Sequence, residues 1–200
     1  MIDPDGNIVR LWNYVKNDEV KKGVSQKMQR AMVDFMKTEE GYAFIAQFAK
    51  KGDKIFGYEF KTDGKFSNKI LDLTEVSMSE ETANILTNYE GLYSVKEDKS
   101  GVVLYIPTFG DRTSEGITEI VMHEALLHGY KVDKDLSGKH KTTQNSVDAD
   151  HKAIRDKNTN HSGYKKYDAA RKQLEKISAK FKQIFKEAEA FYKRNYKDLK

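Results

Sequence analysis

Residues 121–130 read VMHEALLHGY, a largely apolar stretch that also carries two histidines and a glutamate. His123 and Glu124 are followed by three residues before His128, so the spacing is H-E-x-x-x-H. In an α-helix, four residues turn through about 400°, which places side chains at i and i+4 on one face. Five residues turn through about 500°, so His128 would lie about 140° away from His123 on a regular helix. Both imidazoles could bind one metal ion only if the helix contained an extra residue, as a π-type bulge provides.

The residues around the motif predict the helix that carries it. Thr113 or Ser114 can cap this helix, and Glu115 falls in its first turn, where the helix dipole favours a negative charge. The buried side of the helix is supplied by apolar residues at helical spacing: Ile117, Ile120, Val121 and Leu127. The alternative is a surface helix whose histidines and glutamate are merely solvated.

The motif resembles those of known zinc peptidases. His123, Glu124 and His128 match the H-E-x-x-G-H motif of the dipeptidyl-peptidase III family, with Leu127 where that family has glycine. The order of a small sheet followed by the motif helix is similar to that of the zincin metallopeptidases, whose usual motif is H-E-x-x-H. The resemblance implies Zn²⁺ as cofactor, the two histidines as metal ligands and Glu124 as the catalytic residue.

A catalytic zinc ion needs at least three protein ligands and an open position for water. The chain has no cysteine, so any metal must be held by His, Asp or Glu. His151, 23 residues after His128, is the first candidate for the third ligand. Asp148 and Asp150 are alternative ligands, and Asp148 could instead orient the His151 imidazole. Both acids could also simply match the dipole of a short helix capped by Ser146.

A regular helix would offer a different set of ligands. Glu119 and His123 are four residues apart, and so are Glu124 and His128. An unbulged helix could therefore bind a metal through Glu124 and His128, but the site would then lose its general base. The sequence leaves both arrangements open.

The bulged arrangement corresponds to a hydrolytic mechanism. Zn²⁺ on His123, His128 and His151 would lower the pKa of a bound water toward 7. Glu124 would take the proton of that water and deliver it to the leaving amine, which completes peptide-bond hydrolysis.

Two further histidines occur in polar stretches. His140 and His161 are both expected to be exposed in loops. His161, or nearby Tyr164, could stabilise an oxyanion.

The hydrophobic pattern predicts an α+β fold. Two helices are expected over about 18–51, with a core stripe of Met28, Met32, Phe35 and Met36. A small, mostly antiparallel sheet is expected to follow, including an alternating KIFGYEF segment and a hairpin with strands near 92–96 and 101–106. A short helix is expected from Ser77, which has a capping-box spacing to Glu80. A long amphipathic helix over about 168–196, which could pack on the body or on a partner, is expected to end the chain.

Length and composition indicate a single polar, globular domain that is expected to be monomeric. The chain has 200 residues, of which 38% are hydrophobic and 33% charged, and no apolar run approaches the length of a membrane span. Its first ten residues lack the apolar core of a signal peptide. The net charge of +4 divides into −3 over residues 1–164 and +7 over residues 165–200. A lysine-rich exposed helix face accounts for this basic end, and nucleic acid is not expected as a partner.

The string IDPDGN at residues 2–7 resembles the end of an RHS/YD-repeat core, which commonly precedes a variable toxin domain. The resemblance implies a junction remnant over 1–10 and a zincin-like toxin domain over 11–200. It also implies secretion or delivery into a target cell by a larger carrier, a protein or peptide substrate, and a cognate immunity protein.

Two other functions stay open. A metal-dependent nuclease toxin is suggested by the His- and Asn-bearing stretch at 138–161 and by the basic end, although the H-N-H nuclease spacing is not met. A non-catalytic helical interaction module would use the basic C-terminal helix to bind a partner.

Overall fold

The computed structural model describes residues 9–15, 19–77, 91–140 and 143–199. The strands of this part form a five-stranded sheet and a small two-stranded sheet. Their bounds are β1 Val9–Val15, β2 Glu19–Lys22, β3 Lys54–Ile55, β4 Tyr58–Glu59, β5 Ile70–Val76, β6 Leu92–Val95 and β7 Gly101–Pro107. The large sheet has the order β2-β1-β5-β7-β6, and β3 pairs with β4.

Helices occupy the segment after β2 and most of the chain after β7. Their bounds are α1 Gln26–Met36, α2 Glu39–Ala46, α3 Ser114–Met122, α4 Val132–Leu136, α5 Gln144–Arg155, α6 Ser162–Ile177 and α7 Ala179–Asn195. A π-helix, His123–His128, and a 3₁₀ turn, Gly129–Lys131, connect α3 to α4. The α+β class expected from the sequence is confirmed. None of the described helices has the length and apolar character needed to cross a membrane.

One hydrophobic core joins the large sheet to the helices. Leu71 and Leu73 of β5 and Leu104 of β7 are fully buried in it. The predicted core stripe of α1 is confirmed, because its four side chains are at most 1% exposed: Met28, Met32, Phe35 and Met36. Since α1 packs on α3, this core fixes the helix that leads into the motif.

The large sheet is mixed rather than mostly antiparallel as expected, whereas the small sheet of β3 and β4, in the predicted KIFGYEF segment, is antiparallel. β5 pairs in parallel with both β1 and β7. The antiparallel pairs are β1–β2 and the predicted hairpin β6–β7, which is confirmed. The chain passes through α1 and α2 between β2 and β5, and such a crossover is what parallel pairing requires. The alternation of apolar and polar residues within a strand does not show whether it pairs in parallel or antiparallel with its neighbour.

The first helix starts later than the sequence pattern suggested. Residues 19–22 form β2 beside β1, and α1 begins only after Ser25, whose hydroxyl accepts the backbone N–H of Met28. The Ser25 backbone N–H and hydroxyl both donate to the carboxylate of Glu75 on β5. The helix start is therefore set by a contact with a distant strand.

The C-terminal helix is two helices packed on each other, rather than one helix over about 168–196. The break is at Ser178, whose backbone is extended at φ −151° and ψ 138°. Its hydroxyl accepts the backbone N–H of Lys180 and caps α7. Because α7 packs on α3, α5 and α6, this part of the chain belongs to the body of the domain.

Two further expectations concern chain segments near the motif. The short helix predicted after the motif begins at Gln144 with Thr143 as its cap, and Ser146 serves as the third helical residue of a capping box. Residues 78–89 of the helix predicted from Ser77 lie outside the described residues, as do residues 1–8 of the proposed junction.

Gly163 lets α6 approach the backbone of the π-helix. A Cβ atom at this position would lie 2.6 Å from the carbonyl oxygen of Leu127 and 2.8 Å from Cδ1 of Tyr130. We predict that Gly163→Ala lowers the free energy of unfolding by about 1–3 kcal/mol, because the added methyl overpacks this contact. Urea denaturation followed by circular dichroism measures the change.

Gly116 on α3 is the matched control. Its added Cβ would meet nothing nearer than 3.7 Å, so we expect Gly116→Ala to be neutral or stabilising by up to about 1 kcal/mol. Equal effects of the two substitutions would contradict the close approach at Gly163.

Candidate metal centre

The motif residues form a π-helix rather than a regular α-helix. α3 runs directly into His123–His128, and the N–H of Gly129 donates to the carbonyl of Glu124, five residues earlier. This is the i→i+5 pattern, in which a turn takes about one residue more than in an α-helix. The Nε2 atoms of His123 and His128 consequently lie 2.9 Å apart.

A third imidazole reaches the same point from α5. The Nε2 atom of His151 lies 3.3 Å from Nε2 of His123, and one ligand atom from each of the three histidines lies within 4.8 Å of the others. Two nitrogens on a tetrahedral zinc ion, each at about 2.0–2.1 Å, would be about 3.4 Å apart. The three side chains could therefore hold one metal ion.

Asp150 orients the His128 ring. Its Oδ2 atom accepts a hydrogen bond from Nδ1 of His128 at 2.9 Å, which leaves Nε2 of that histidine as the lone-pair atom. Its Oδ1 atom lies 3.0 Å from Nε2 of His161. The backbone N–H of Tyr164 donates to Nδ1 of His161, so Nε2 carries the ring hydrogen, and it lies 3.4 Å from the hydroxyl of Tyr130.

A second buried carboxylate acts on His123 through a tyrosine. The hydroxyl of Tyr192 lies 2.7 Å from Nδ1 of His123 and 3.4 Å from Oε1 of Glu119. Tyr167 also donates to this oxygen at 2.7 Å. If Tyr192 donates to Glu119, its oxygen accepts Nδ1–H of His123, and Nε2 again remains a lone-pair atom.

Burial keeps His123 and His151 neutral. Desolvation, together with the neighbouring His128 and His151, holds the pKa of His123 well below its ordinary value. Burial and the nearby His128 lower the pKa of His151 to about 3. Neutral imidazole is the form that binds a metal ion, so these surroundings favour the ligating state.

The C-terminal residues close one side of the centre. The Tyr192 ring stacks on His123 with centroids 5.2 Å apart, and the Tyr196 ring stacks on His151 at 4.2 Å. Arg155 of α5 donates to the carbonyl oxygens of Tyr196 and Leu199 at 2.8 Å and 2.7 Å. The helix that carries His151 is thus tied to the end of the chain.

Glu124 lies in the same cavity as the three histidines. The cavity has a volume of about 400 Å³, within the range of small ligand sites. The Glu124 side chain is buried against Gly91, where a Cβ would lie only 2.8 Å from Oε1 of Glu124. The absence of a side chain at Gly91 thus makes room for this carboxylate.

A larger depression of about 870 Å³ lies on the open face of the sheet. It contains the ion pairs of Asp72 with Arg10 and Lys96 rather than converging imidazoles. The candidate metal centre is therefore the smaller cavity, where the three imidazoles converge.

The other candidates from the sequence fall in different places. Asp148 accepts a hydrogen bond from Gln144 at 2.7 Å, and Asp150, not Asp148, contacts an imidazole of the cluster, that of His128. His140 and His161 are not fully exposed as expected, because each binds a buried carboxylate that local sequence does not identify. Tyr164 is 4% exposed and packs in the hydrophobic core, where burial raises its pKa to about 12.

Sequence inspection missed the residues that support the histidines. Tyr192 is 69 residues from His123, and its place in the helical stripe of α7 resembles that of any core aromatic. Glu119 was notable only for its four-residue spacing to His123. The local signal for this network was therefore the carboxylate of Glu119, one helical turn before the motif.

No family model, curated protein or solved structure matches this chain. Inference about function therefore depends on the geometry of the centre itself.

The three-histidine centre predicts a defined metal stoichiometry. We expect about one zinc ion per chain after loading with Zn²⁺ and removal of excess metal. His128→Ala should reduce this content severely, because it removes one of three nitrogen ligands. Inductively coupled plasma mass spectrometry measures the zinc content of both proteins.

His140→Ala is the control, because His140 lines the same cavity but pairs with Asp135. It should keep the wild-type zinc content. Equal zinc content in His128→Ala and in the wild type would show that His128 is not a metal ligand.

Proposed function

We propose that this protein is a zinc-dependent peptidase whose ligands are His123, His128 and His151. The observation that carries the proposal is the convergence of three imidazoles in a cavity that also contains the Glu124 carboxylate. Three nitrogen ligands leave a fourth position for water or substrate, as in catalytic zinc sites. A zinc ion there would supply an electrophile for the carbonyl group and lower the pKa of a bound water.

Glu124 is the general base in this proposal. It follows His123 directly on the π-helix, and its buried carboxylate lies beside Gly91 at the cavity wall. A carboxylate in this place can accept a proton from water and return it to the amine that leaves when the C–N bond breaks. Because three imidazoles can supply the protein ligands, Glu124 is not needed as a metal ligand and can act as the base.

The position of β6 supports a peptide as substrate. Among the described strands, β6 lies at the edge of the large sheet, beside β7. Gly91, Leu92 and Tyr93, at the start of this strand, line the cavity. An extended peptide could add to this edge through backbone hydrogen bonds, which would place a peptide bond at the cavity. Binding of a peptide in this way does not require a flat protein surface of the kind that contacts nucleic acid.

The basic C-terminal helices offer limited support for a nuclease. Two of their lysines are paired within the chain: Lys172 with Asp168, and Lys180 with Glu115. Asp168 is already counted in the +7 net charge of residues 165–200, whereas Glu115 lies outside that range and offsets part of it.

We also propose that the peptidase is an effector domain delivered by a larger carrier and restrained by an immunity protein. The support is the IDPDGN string, which resembles an RHS/YD-repeat junction. Co-purification with the product of an adjacent gene would test this part separately from catalysis.

Glu124→Gln is the direct test of the proposed chemistry. It should lower peptide hydrolysis by about 10²–10⁴-fold, because it removes a general base, while the thermal midpoint and zinc content stay unchanged. Cleavage of a mixed peptide library, followed by mass spectrometry, provides the assay.

Glu115→Gln on the same helix is the matched control, because Glu115 lies in the first turn of α3, away from the histidines, and should keep full activity. Undiminished hydrolysis by the Glu124 variant would overturn the role of Glu124. Cleavage of DNA or RNA, without cleavage of peptides, would replace the peptidase by a nuclease.

A further inference from the structure

A second histidine–carboxylate pair lies beside the metal centre. Nδ1 of His140 binds Oδ1 of Asp135, and the hydroxyl of Tyr93 donates to Oδ2 of Asp135 at 2.9 Å. Asp135 is 2% exposed, so both oxygens of a buried carboxylate are committed to these two partners. Burial and the carboxylate raise the pKa of Tyr93, which keeps its hydroxyl protonated as a donor.

This cluster is joined to the motif through Gly129, the residue after His128. A Cβ at Gly129 would lie 3.3 Å from Cε2 of Tyr93, so the Tyr93 ring packs directly on the backbone there. Tyr93 and His140 line the same 400 Å³ cavity as the three ligand histidines and Glu124. A peptide unit bound at the metal centre would therefore lie within the same small enclosure as His140.

The orientation of the His140 ring follows from its buried partner. Asp135 holds the Nδ1 edge, while 24% of the side chain remains exposed. Nε2 is the ring nitrogen that Asp135 does not hold, and the side chain lines the cavity. The carboxylate accepts Nδ1–H and can balance the charge of an imidazolium, the form in which Nε2–H donates.

We propose that His140 is a second catalytic residue, which donates a hydrogen bond from Nε2 to the oxyanion of the tetrahedral intermediate. Asp135 and Tyr93 are positioning residues that hold its ring. The inference rests on the proposed peptidase function, which it extends from the base to the group that stabilises negative charge.

The step balances without a further reactant. The oxygen of water forms a bond to the carbonyl carbon, the π electrons of the carbonyl move to its oxygen, and Glu124 accepts the proton of the water. His140 donates a hydrogen bond to the new oxyanion without transferring its proton. When the C–N bond breaks, the carbonyl re-forms and Glu124 passes its proton to the leaving nitrogen.

A purely structural function for the pair predicts different data. If His140 only tied its loop to α4, its loss would lower stability and leave the turnover of folded protein unchanged. An oxyanion donor affects kcat much more than KM, because the charge it stabilises exists only in the transition state.

The first test is steady-state hydrolysis of the best peptide from the library screen. His140→Gln should lower kcat by about 10²–10³-fold with KM and zinc content little changed, as for loss of one oxyanion donor. Tyr93→Phe removes only the hydroxyl that holds Asp135 and should give a smaller loss of kcat. Lys139→Gln, at the exposed neighbouring position, is the control and should match the wild type.

The second test does not depend on turnover. Methylphosphonate, a small tetrahedral oxyanion, is titrated into the zinc-loaded wild-type and His140→Gln proteins by calorimetry. The proposal predicts that the variant binds at least about tenfold more weakly, because one charge-assisted hydrogen bond is lost. Equal affinity of the two proteins, or no binding to the wild type, would overturn it.

The two tests separate the failure of each claim. Peptide hydrolysis that persists unchanged in His140→Gln rejects the role of His140 and leaves the peptidase function intact. A wild type that cleaves no peptide rejects the peptidase function. The methylphosphonate comparison then still decides whether His140 and the metal centre bind the same anion.

Discussion

The candidate centre depends on one backbone feature, the π-helical hydrogen bonding of His123–His128. His128 is five positions after His123, and only this wider turn brings their Nε2 atoms to 2.9 Å. The wider turn must be maintained against the regular α-helix that the preceding nine residues adopt. Its surroundings provide that restraint, since five of its six side chains are buried and α6 packs against its carbonyls at Gly163.

The polar groups around the centre follow from that position in the core. Imidazoles with little access to water must be hydrogen-bonded on the side that does not face a metal ion. Asp150 provides this contact for His128, and the Glu119–Tyr192 pair provides it for His123. Buried carboxylates and tyrosines cost desolvation, so such a network is more typical of a functional site than of a core built only for stability. The peptidase proposal gives this network a purpose.

The motif helix was predictable because its signals are local. Thr113 caps it, and Glu115 occupies its first turn, as the sequence indicated. His151 lies close to the two motif histidines, as its predicted role of third ligand requires. Binding of a metal, and its identity, stay predictions. The π-helix was one of two possibilities, since its hydrogen bonds depend on packing that a spacing of five residues does not specify.

Other features depend on contacts between distant residues and could not be predicted. The parallel pairing of β1 with β5 follows from the crossover through α1 and α2, and the start of α1 follows from Glu75 on β5. Tyr192 reaches His123 because α7 folds back at Ser178 and packs on α3. A single long helix would have carried Tyr192 away from the centre. The break that sequence periodicity overlooked is thus part of what completes the site.

X-ray absorption at the zinc edge, on protein loaded with one equivalent of Zn²⁺, tests the central claim most directly. The proposed centre predicts three imidazole nitrogens at about 2.0–2.1 Å and one light atom from water in a four-coordinate shell. The multiple-scattering signal from the imidazole rings should correspond to three rings in the wild type and to two in His151→Ala. A shell of oxygen atoms with one imidazole or none would contradict the claim that the π-helix brings His123 and His128 to a single ion.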